Sequence, residues 1–439
     1  MTQKTVGTLA KTKSKVLLPV IVAAILSFAA RAENLNRGGH WVSAWSDAVH
    51  TPLPFPNLPA SPVIENQTIR MVVRPTIGGE RMRVRFSNAF GTTAIVIGAA
   101  HVALVSKGAQ IIPQSDRILT FGGKGLVSIP PGAPMLSDPV DLKVPPFAEL
   151  AISIYLPEKT PGSSIHFWAQ HETYISGLGD FTAKPDISNA TVRTSWYWLA
   201  DVEVWGSERV AATIAFGDSI TDGVGAKQGE YSDWPDLLAV RLAGEHGTTL
   251  AILNEGIGGN RILHDGAGIS ALARFNRDVL AQPGVVNLII LEGINDIGWP
   301  HMKPQTVPGG RTPKEGPFAG EVVSARDLIA GLQQVIERAH QHGIRVFGAT
   351  LTPYEGADYY SEDGEAIRQA VNQWIRTSGA FDGVFDFDAA VRDPNHPARI
   401  RDDYQSGDHL HPSAAGYRAM AAAVDLSALT SFVAVRKNQ

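Results

Sequence analysis

The sequence of 439 residues contains no cysteine. Disulfides, a thiol nucleophile and thiolate metal sites are therefore excluded, and stability must come from packing. An excess of positive charge is also missing: 38 Lys and Arg stand against 43 Asp and Glu, for a formal charge of -5. Without a basic field to attract phosphate backbones, nucleic acid is not an expected partner. Long apolar runs are absent beyond residue 30, so no later segment supplies the ~20 apolar residues that span a bilayer. What is present, 44% hydrophobic and 18% charged residues, describes a globular chain long enough for about two or three domains.

Residues 1–32 have the layout of an export signal. Lys4, Lys11, Lys13 and Lys15 precede an uncharged apolar run, Val16 to Ala30, and Ala30-Arg31-Ala32 supplies an Ala-x-Ala cleavage site. The mature chain is expected to begin near Glu33, in the periplasm or outside the cell. The run is shorter than a bilayer span, which argues against a retained anchor.

The remainder falls into two halves of different rhythm, 33–205 and 206–439. In the first the period is two. Ile69, Met71 and Val73 alternate with Arg70 and Arg74, and after Ile77-Gly78-Gly79-Glu80 the residues Met82, Val84 and Phe86 alternate with Arg81, Arg83 and Arg85. This pattern predicts a hairpin with one solvated face. Further short strands, at 94–100, 150–156 and 196–205, are separated by turns such as Gly122-Gly123 and Pro130-Pro131-Gly132, which suggests a β-sandwich or jelly roll. Six of the nine tryptophans, Trp41, Trp45, Trp168, Trp196, Trp198 and Trp205, lie here. Exposed indoles can stack on sugar rings, but strand tryptophans more often belong to the core.

After Gly206 apolar strands near 210–216, 249–254, 285–291, 344–351 and 383–387 alternate with helical patterns near 234–246, 270–281, 321–342, 361–376 and 412–424. This βαβ alternation predicts a parallel sheet with helices on both faces, of the flavodoxin-like three-layer α/β/α kind.

The strand ends carry the chemistry. The run 210–216 stops at Gly217-Asp218-Ser219-Ile220, which places Ser219 just past the C-terminal edge of a buried strand, where ligands bind in open α/β sheets. Gly-Asp-Ser is equally an ordinary turn composition. The next strand ends in Asn254-Glu255-Gly256-Ile257-Gly258-Gly259-Asn260-Arg261, and glycines there let backbone N–H groups face a neighbouring site. The third ends in Glu292-Gly293-Ile294-Asn295-Asp296. Near the C-terminus, Asp408-His409-Leu410-His411-Pro412 spaces a carboxylate three residues from an imidazole, so Asp408 reaches His411 while His409 points elsewhere, and Pro412 suits the first helical position. A surface Asp–His pair, or a metal held by Asp408, His409 and His411, are alternatives; no other group has recognisable ligand spacing.

The set Gly217-Asp218-Ser219-Ile220, Gly259, Gly293-Ile294-Asn295-Asp296 and Asp408-His409-Leu410-His411 resembles, in content and order, the four sequence blocks of the SGNH or GDSL hydrolases. Ile220 departs from the leucine of the family's name. The first half, including Ser87-Asn88-Ala89-Phe90-Gly91, resembles the β domain that precedes the hydrolase in secreted members. The resemblance implies Ser219 as nucleophile, His411 as general base and then acid, and Asp408 as its orienting carboxylate. It implies an oxyanion hole of the Ser219 N–H, the Gly259 N–H and the Asn295 side-chain amide, with Asp218 and Asp296 as neighbouring supports and no cofactor. The expected activity is that of an exported serine esterase acting on a short-acyl ester, most plausibly acetyl groups on polysaccharide such as xylan. A lipase-type acylhydrolase, an acyltransferase to a sugar hydroxyl and a non-catalytic glycan-binding protein are the other readings. The Pro- and Gly-rich segment from Trp299 to Gly320 reads as a loop beside Asn295, suited to forming a pocket wall.

Overall fold

Seven longer strands carry the first half in the computed structural model, which describes residues 1–2, 38–52, 60–247, 249–304 and 315–431. They are β1 (His40–Ser46), β2 (Gln67–Val73), β3 (Gly79–Ser87), β4 (Ala99–Lys107), β5 (Leu150–Leu156), β6 (Thr173–Leu178) and β7 (Leu199–Gly206). They divide between two antiparallel sheets. One is built on the order β1-β7-β3 and the other on β6-β2-β5-β4, with shorter strands added at the edges. Alternate residues of both sheets, among them Met82, Val84, Phe86, Ile69, Met71 and Ile152, meet in one apolar core.

The expected hairpin between β2 and β3 does not form. β2 pairs with β5 and β6, whereas β3 pairs with β7 and two short strands. The linker is longer than a tight hairpin turn and is committed elsewhere: the Thr76 N–H bonds the Ala44 carbonyl and its hydroxyl bonds the backbone of Ile252. The solvated face is also reduced. Arg70 is fully buried, donating to Ser153 Oγ at 2.8 Å and to the carbonyls of Ala109 and Lys184. Arg83 and Arg85 are turned toward Glu203 and Asp201 on β7. Period two located the two faces, but the arginine face is covered at Arg70 and only partly wet along β3, where Arg81 and Arg83 stay half-exposed. Of the six tryptophans in this half, Trp196 and Trp198 are buried and the others are half-buried.

The second half begins with β8 (Ala211–Gly217), followed by β9 (Leu250–Gly256), β10 (Val285–Leu291), β11 (Arg345–Ala349) and β12 (Gly383–Phe385). All pair in parallel in the order β9-β8-β10-β11-β12. Numbered within the sheet this is 2-1-3-4-5, the flavodoxin-like order. Its helices are α1 (Ser219–Asp222), α2 (Trp234–His246), α3 (Ala271–Phe275), α4 (Ile294–Gly298), α5 (Ala325–Gln341), α6 (Glu362–Thr377), α7 (Phe387–Val391), α8 (Ala414–Ala423) and α9 (Leu426–Thr430). Right-handed crossovers from a strand order that reverses between β8 and β10 put α2 on one face and α3, α5 and α6 on the other. α8 packs on α2, and α5 packs on α3 and α6, consistent with that division. Among the described residues, no helix is long and apolar enough to cross a membrane.

The helix starts are written locally. Asp233, Ser324, Ser361 and Ser413 each accept a bond from a first-turn N–H. Ser413, not Pro412, opens α8, so the expectation for Pro412 is displaced by two residues: serine supplies the acceptor that a proline side chain lacks.

Candidate active site

The reversal of strand order opens a crevice between the C-terminal ends of β8 and β10, and Ser219 and Asn295 follow those two strands. The ends are level: Gly217 lies opposite Gly256 on one side and Leu291 on the other. Gly217 is required sterically, because a Cβ there would sit 2.3 Å from the Leu291 carbonyl oxygen and 2.4 Å from the Thr221 hydroxyl. The chain then turns at once into α1. Asp218 caps that turn, its Oδ1 accepting the Ile220 N–H at 2.9 Å, and Gly223 ends it at φ 106°. Ser219 is thereby held at the first position of a one-turn helix.

His411 comes from the segment before α8. Its Nε2 lies 2.8 Å from Ser219 Oγ and its Nδ1 2.5 Å from Asp408 Oδ2. The other oxygen of Asp408 accepts the backbone N–H groups of Leu410 and His411, so the carboxylate fixes both the loop and the ring. Partial burial works to raise the Asp408 pKa, but His411 and these amides hold it well below the usual carboxylate range. His409 takes a left-handed φ of 61°, and its ring packs against Gly356, away from Ser219. Asp408, His409 and His411 thus do not converge on a common point. Among the described residues, no group of three His, Asp or Glu side chains is arranged to hold a metal.

The three amides named from the sequence lie on the same sheet edge. Ser219 N–H and Gly259 N–H donate to no group among the described residues. Gly259 has φ 81°, and a Cβ there would stand 2.8 Å from the Trp299 ring. Asn295 is buried, donates from Nδ2 to the Asn260 carbonyl at 3.0 Å and accepts from the Tyr359 hydroxyl at 3.1 Å. Those two bonds fix the amide orientation and leave one Nδ2 hydrogen uncommitted. Asp296 accepts the amides of Ile262 and Leu263, tying the end of β10 to the turn after β9. Burial raises Asp218 to about 7 and Asp296 to about 6.

Several supports carry no motif signal. Arg274, fully buried, donates to the carbonyls of Gly217 and Glu255 and to Asn260 Oδ1, each at 2.8 Å, clamping the ends of β8 and β9. Trp168 arrives from the first half and packs so closely on Gly258 that a Cβ there would lie 2.3 Å from its ring. Tyr359 reaches Asn295 from the segment before α6. Only contact across long sequence separation identifies these residues.

Part of the Trp299–Gly320 segment, residues 305–314 with Val307, Pro308, Gly309, Gly310 and Pro313, lies outside the described residues, as do residues 3–37 of the export-signal region and first mature segment. The described ends of the segment fold back on the site. Trp299 is buried and packs at a tilt on Phe318, ring centroids 4.5 Å apart, with the Arg261 guanidinium over both rings. Beside Asp408 lies an open pocket of about 400 Å³ whose walls include Tyr359, Asp358, Gly356 and His409.

Residues 215–419 match the model of the GDSL-like lipase/acylhydrolase family. No curated protein matches the chain. Among solved structures, an acetyl xylan esterase is similar at 21% identity, covering 48% of this chain and 96% of its own, with a TM-score of 0.36. The aryl esterase of M. smegmatis is similar at 15% identity, covering 52% and 99%, with a TM-score of 0.37. A lipase/acylhydrolase from Enterococcus faecalis is similar at 17% identity, covering 51% and 97%, with a TM-score of 0.36.

Proposed function

We propose that this chain, whose residues 215–419 match the GDSL-like lipase/acylhydrolase family model, is a serine esterase that removes short acyl groups from a polar, carbohydrate-type alcohol. The observation that carries the esterase reading is the unbroken hydrogen-bonded line Ser219 Oγ, His411, Asp408 at the sheet's crevice. A serine hydroxyl is a weak nucleophile until a base takes its proton. His411 Nε2 accepts that proton as Ser219 Oγ bonds to the ester carbonyl carbon. Asp408 at Nδ1 stabilises the imidazolium that results. The carbonyl oxygen, now anionic, is received by Ser219 N–H, Gly259 N–H and the free Asn295 N–H. Collapse breaks the bond to the alcohol oxygen, which leaves with the proton from His411. Water then attacks the acyl-serine by the same route, releasing the acid.

The substrate class is argued from the walls. The pocket beside Asp408 has Tyr359, Asp358 and His409 among its walls, alongside Ala357 and Leu410, and the first three can bond the hydroxyls of a polar alcohol. Trp168 and Trp299 pack tightly on the Gly258–Gly259 turn, and a short acyl group is the reading taken here. The halves 33–205 and 206–439 act together in this reading, and the leader pattern at 1–32 would deliver the enzyme outside the cytoplasm, to polymeric substrate.

The test is hydrolysis of p-nitrophenyl acetate, butyrate and palmitate, with acetate release from acetylated xylan, by the wild type and Ser219→Ala. Acetate release that disappears in the variant, with little palmitate cleavage, supports the proposal. Preference for palmitate would replace it with a lipase. Absence of all turnover would leave a glycan-binding protein.

A further inference from the structure

The first half reaches the turn that carries Gly259 through a buried ionic chain. Asp47 follows β1, His166 lies in the short strand Ile165–His166, and Asp222 is the last residue of α1. Asp47 Oδ1 is 2.7 Å from His166 Nδ1, and Asp222 Oδ1 is 2.9 Å from His166 Nε2. All three residues are buried. The second oxygen of Asp222 accepts the N–H of Gly258 at 2.9 Å, and Gly258 is the residue before Gly259.

Nε2 is hydrogen-bonded to Asp222, while Nδ1 lies against Asp47 Oδ1 and the Ala48 carbonyl at 3.4 Å, so an oxygen faces each ring nitrogen and the imidazolium is the form favoured here. A neutral tautomer would set a lone pair against one carboxylate oxygen at short range. Burial opposes the charge, but Asp47 and Asp222 outweigh it and hold the His166 pKa well above the ordinary value. The ring is flanked by His50 and Trp196, with centroids at 5.8 and 5.7 Å, and Asp278 and Glu255 of the second half face Asp47.

A simple tie between halves would not need to end on a catalytic element. Arg74 with Asp236, and Thr76 with Ile252, already join the halves away from the catalytic turns. His166 instead ends on α1, which begins with Ser219, and through Asp222 on the turn after β9. Two residues further on, Trp168 covers the same Gly258, so this segment grips the turn both by charge and by packing.

We infer that His166 is a positioning residue for ester cleavage: it fixes Asp222, which fixes the Gly258 N–H and hence the aim of the Gly259 amide, making the first half a working part of the catalytic site. This rests on Gly259 being an oxyanion donor in the proposed esterase. Glutamine at position 166 can reach only one of the two carboxylates and carries no charge. Asp222 then loses its anchor, and the turn can rotate.

The experiment uses the full chain as His166→Gln, Asp222→Asn and the double variant. Rates on p-nitrophenyl acetate are expressed per Ser219 labelled by a fluorophosphonate, and amide exchange of Gly258 is followed by NMR. Misaiming a donor costs less than deleting one, so His166→Gln should lower kcat about 10- to 100-fold with KM nearly unchanged. Gly258 exchange should rise by about tenfold or more. The double variant should lose no more than the worse single variant, because both act along one path. Asp47→Asn, which keeps the His166–Asp222 bond, gives a milder effect in the same direction and serves if His166→Gln does not fold. Unchanged kcat per labelled site, multiplicative losses in the double variant, or unchanged Gly258 exchange would each overturn the assignment. If the wild type neither labels nor turns over ester, the serine reading has failed, and the Gly258 exchange rate alone then decides whether His166 holds the turn.

Discussion

Replacing Asp408 with asparagine alters the group that selects the tautomer of His411. In the native site Oδ2 faces Nδ1 at 2.5 Å while Oδ1 accepts the amides of Leu410 and His411. An asparagine oxygen can keep the two backbone bonds, so its NH₂ must then face Nδ1. That stabilises the tautomer with its proton on Nε2, which donates to Ser219 Oγ and cannot receive its proton. Where the carboxylate is fully buried, this change costs about 10⁴ in kcat. Here the Asp408 side chain is 49% exposed, and water supplies part of the stabilisation of the imidazolium. The expected loss is therefore smaller, about 10³, or ~4 kcal/mol on the barrier. The assay is kcat on p-nitrophenyl acetate per labelled Ser219, together with thermal unfolding, which should change little because the backbone bonds survive. Retention of more than a tenth of the wild-type kcat would refute the orienting role. Asp408 also has a defined pH signature. Its native pKa lies below the unfolded value of about 3.9, so its stabilisation of the loop is present above about pH 4 and is lost only as pH falls further, through the native value. Rate lost between pH 8 and pH 4 therefore belongs to a group other than Asp408.

Asn295→Ala removes one proposed oxyanion donor and should lower kcat by about 10²–10³ with little change in KM; a change confined to KM would count against the hole. Arg274→Met leaves the Gly217 and Glu255 carbonyls and Asn260 Oδ1 without their donor in the interior, and urea unfolding should show a loss of about 3–5 kcal/mol. A loss below about 1 kcal/mol would contradict the clamp. For His166, whose native pKa is raised, the stabilisation is complete below the unfolded value of about 6.5 and is withdrawn as pH rises through the native value. Wild-type stability should therefore fall more steeply than that of His166→Gln on the alkaline side, and parallel curves would exclude a charged His166.

The legible part of this protein is its local part. The parallel strands and most helix bounds follow from apolar runs and caps: the reading placed a strand at 285–291 and a helix at 234–246, as observed. The Ser219 block, Asn295 and the Asp408/His411 pair were legible because turns at strand ends demand particular residue types. The hairpin between β2 and β3 was misread because period two reports which side chains share a face but not which strand lies alongside. The solvated arginine face failed for a related reason, since whether a charge meets water depends on what the rest of the chain lays over it. Arg70 shows this: its partners include Ala109 and Lys184, far along the chain.

By itself the sequence determined the strands and most helices of the second half and the order of the strand-end motifs, because caps, turns and periodicity act within a few residues. Only the tertiary structure decided that Ser219 Oγ meets His411 Nε2 across 192 positions, that Tyr359 and Asn260 orient Asn295, and that the first half inserts His166 beside α1. These are contacts between groups remote in sequence, and their geometry is settled when the sheets and helices pack and burial forces each polar group to find a partner.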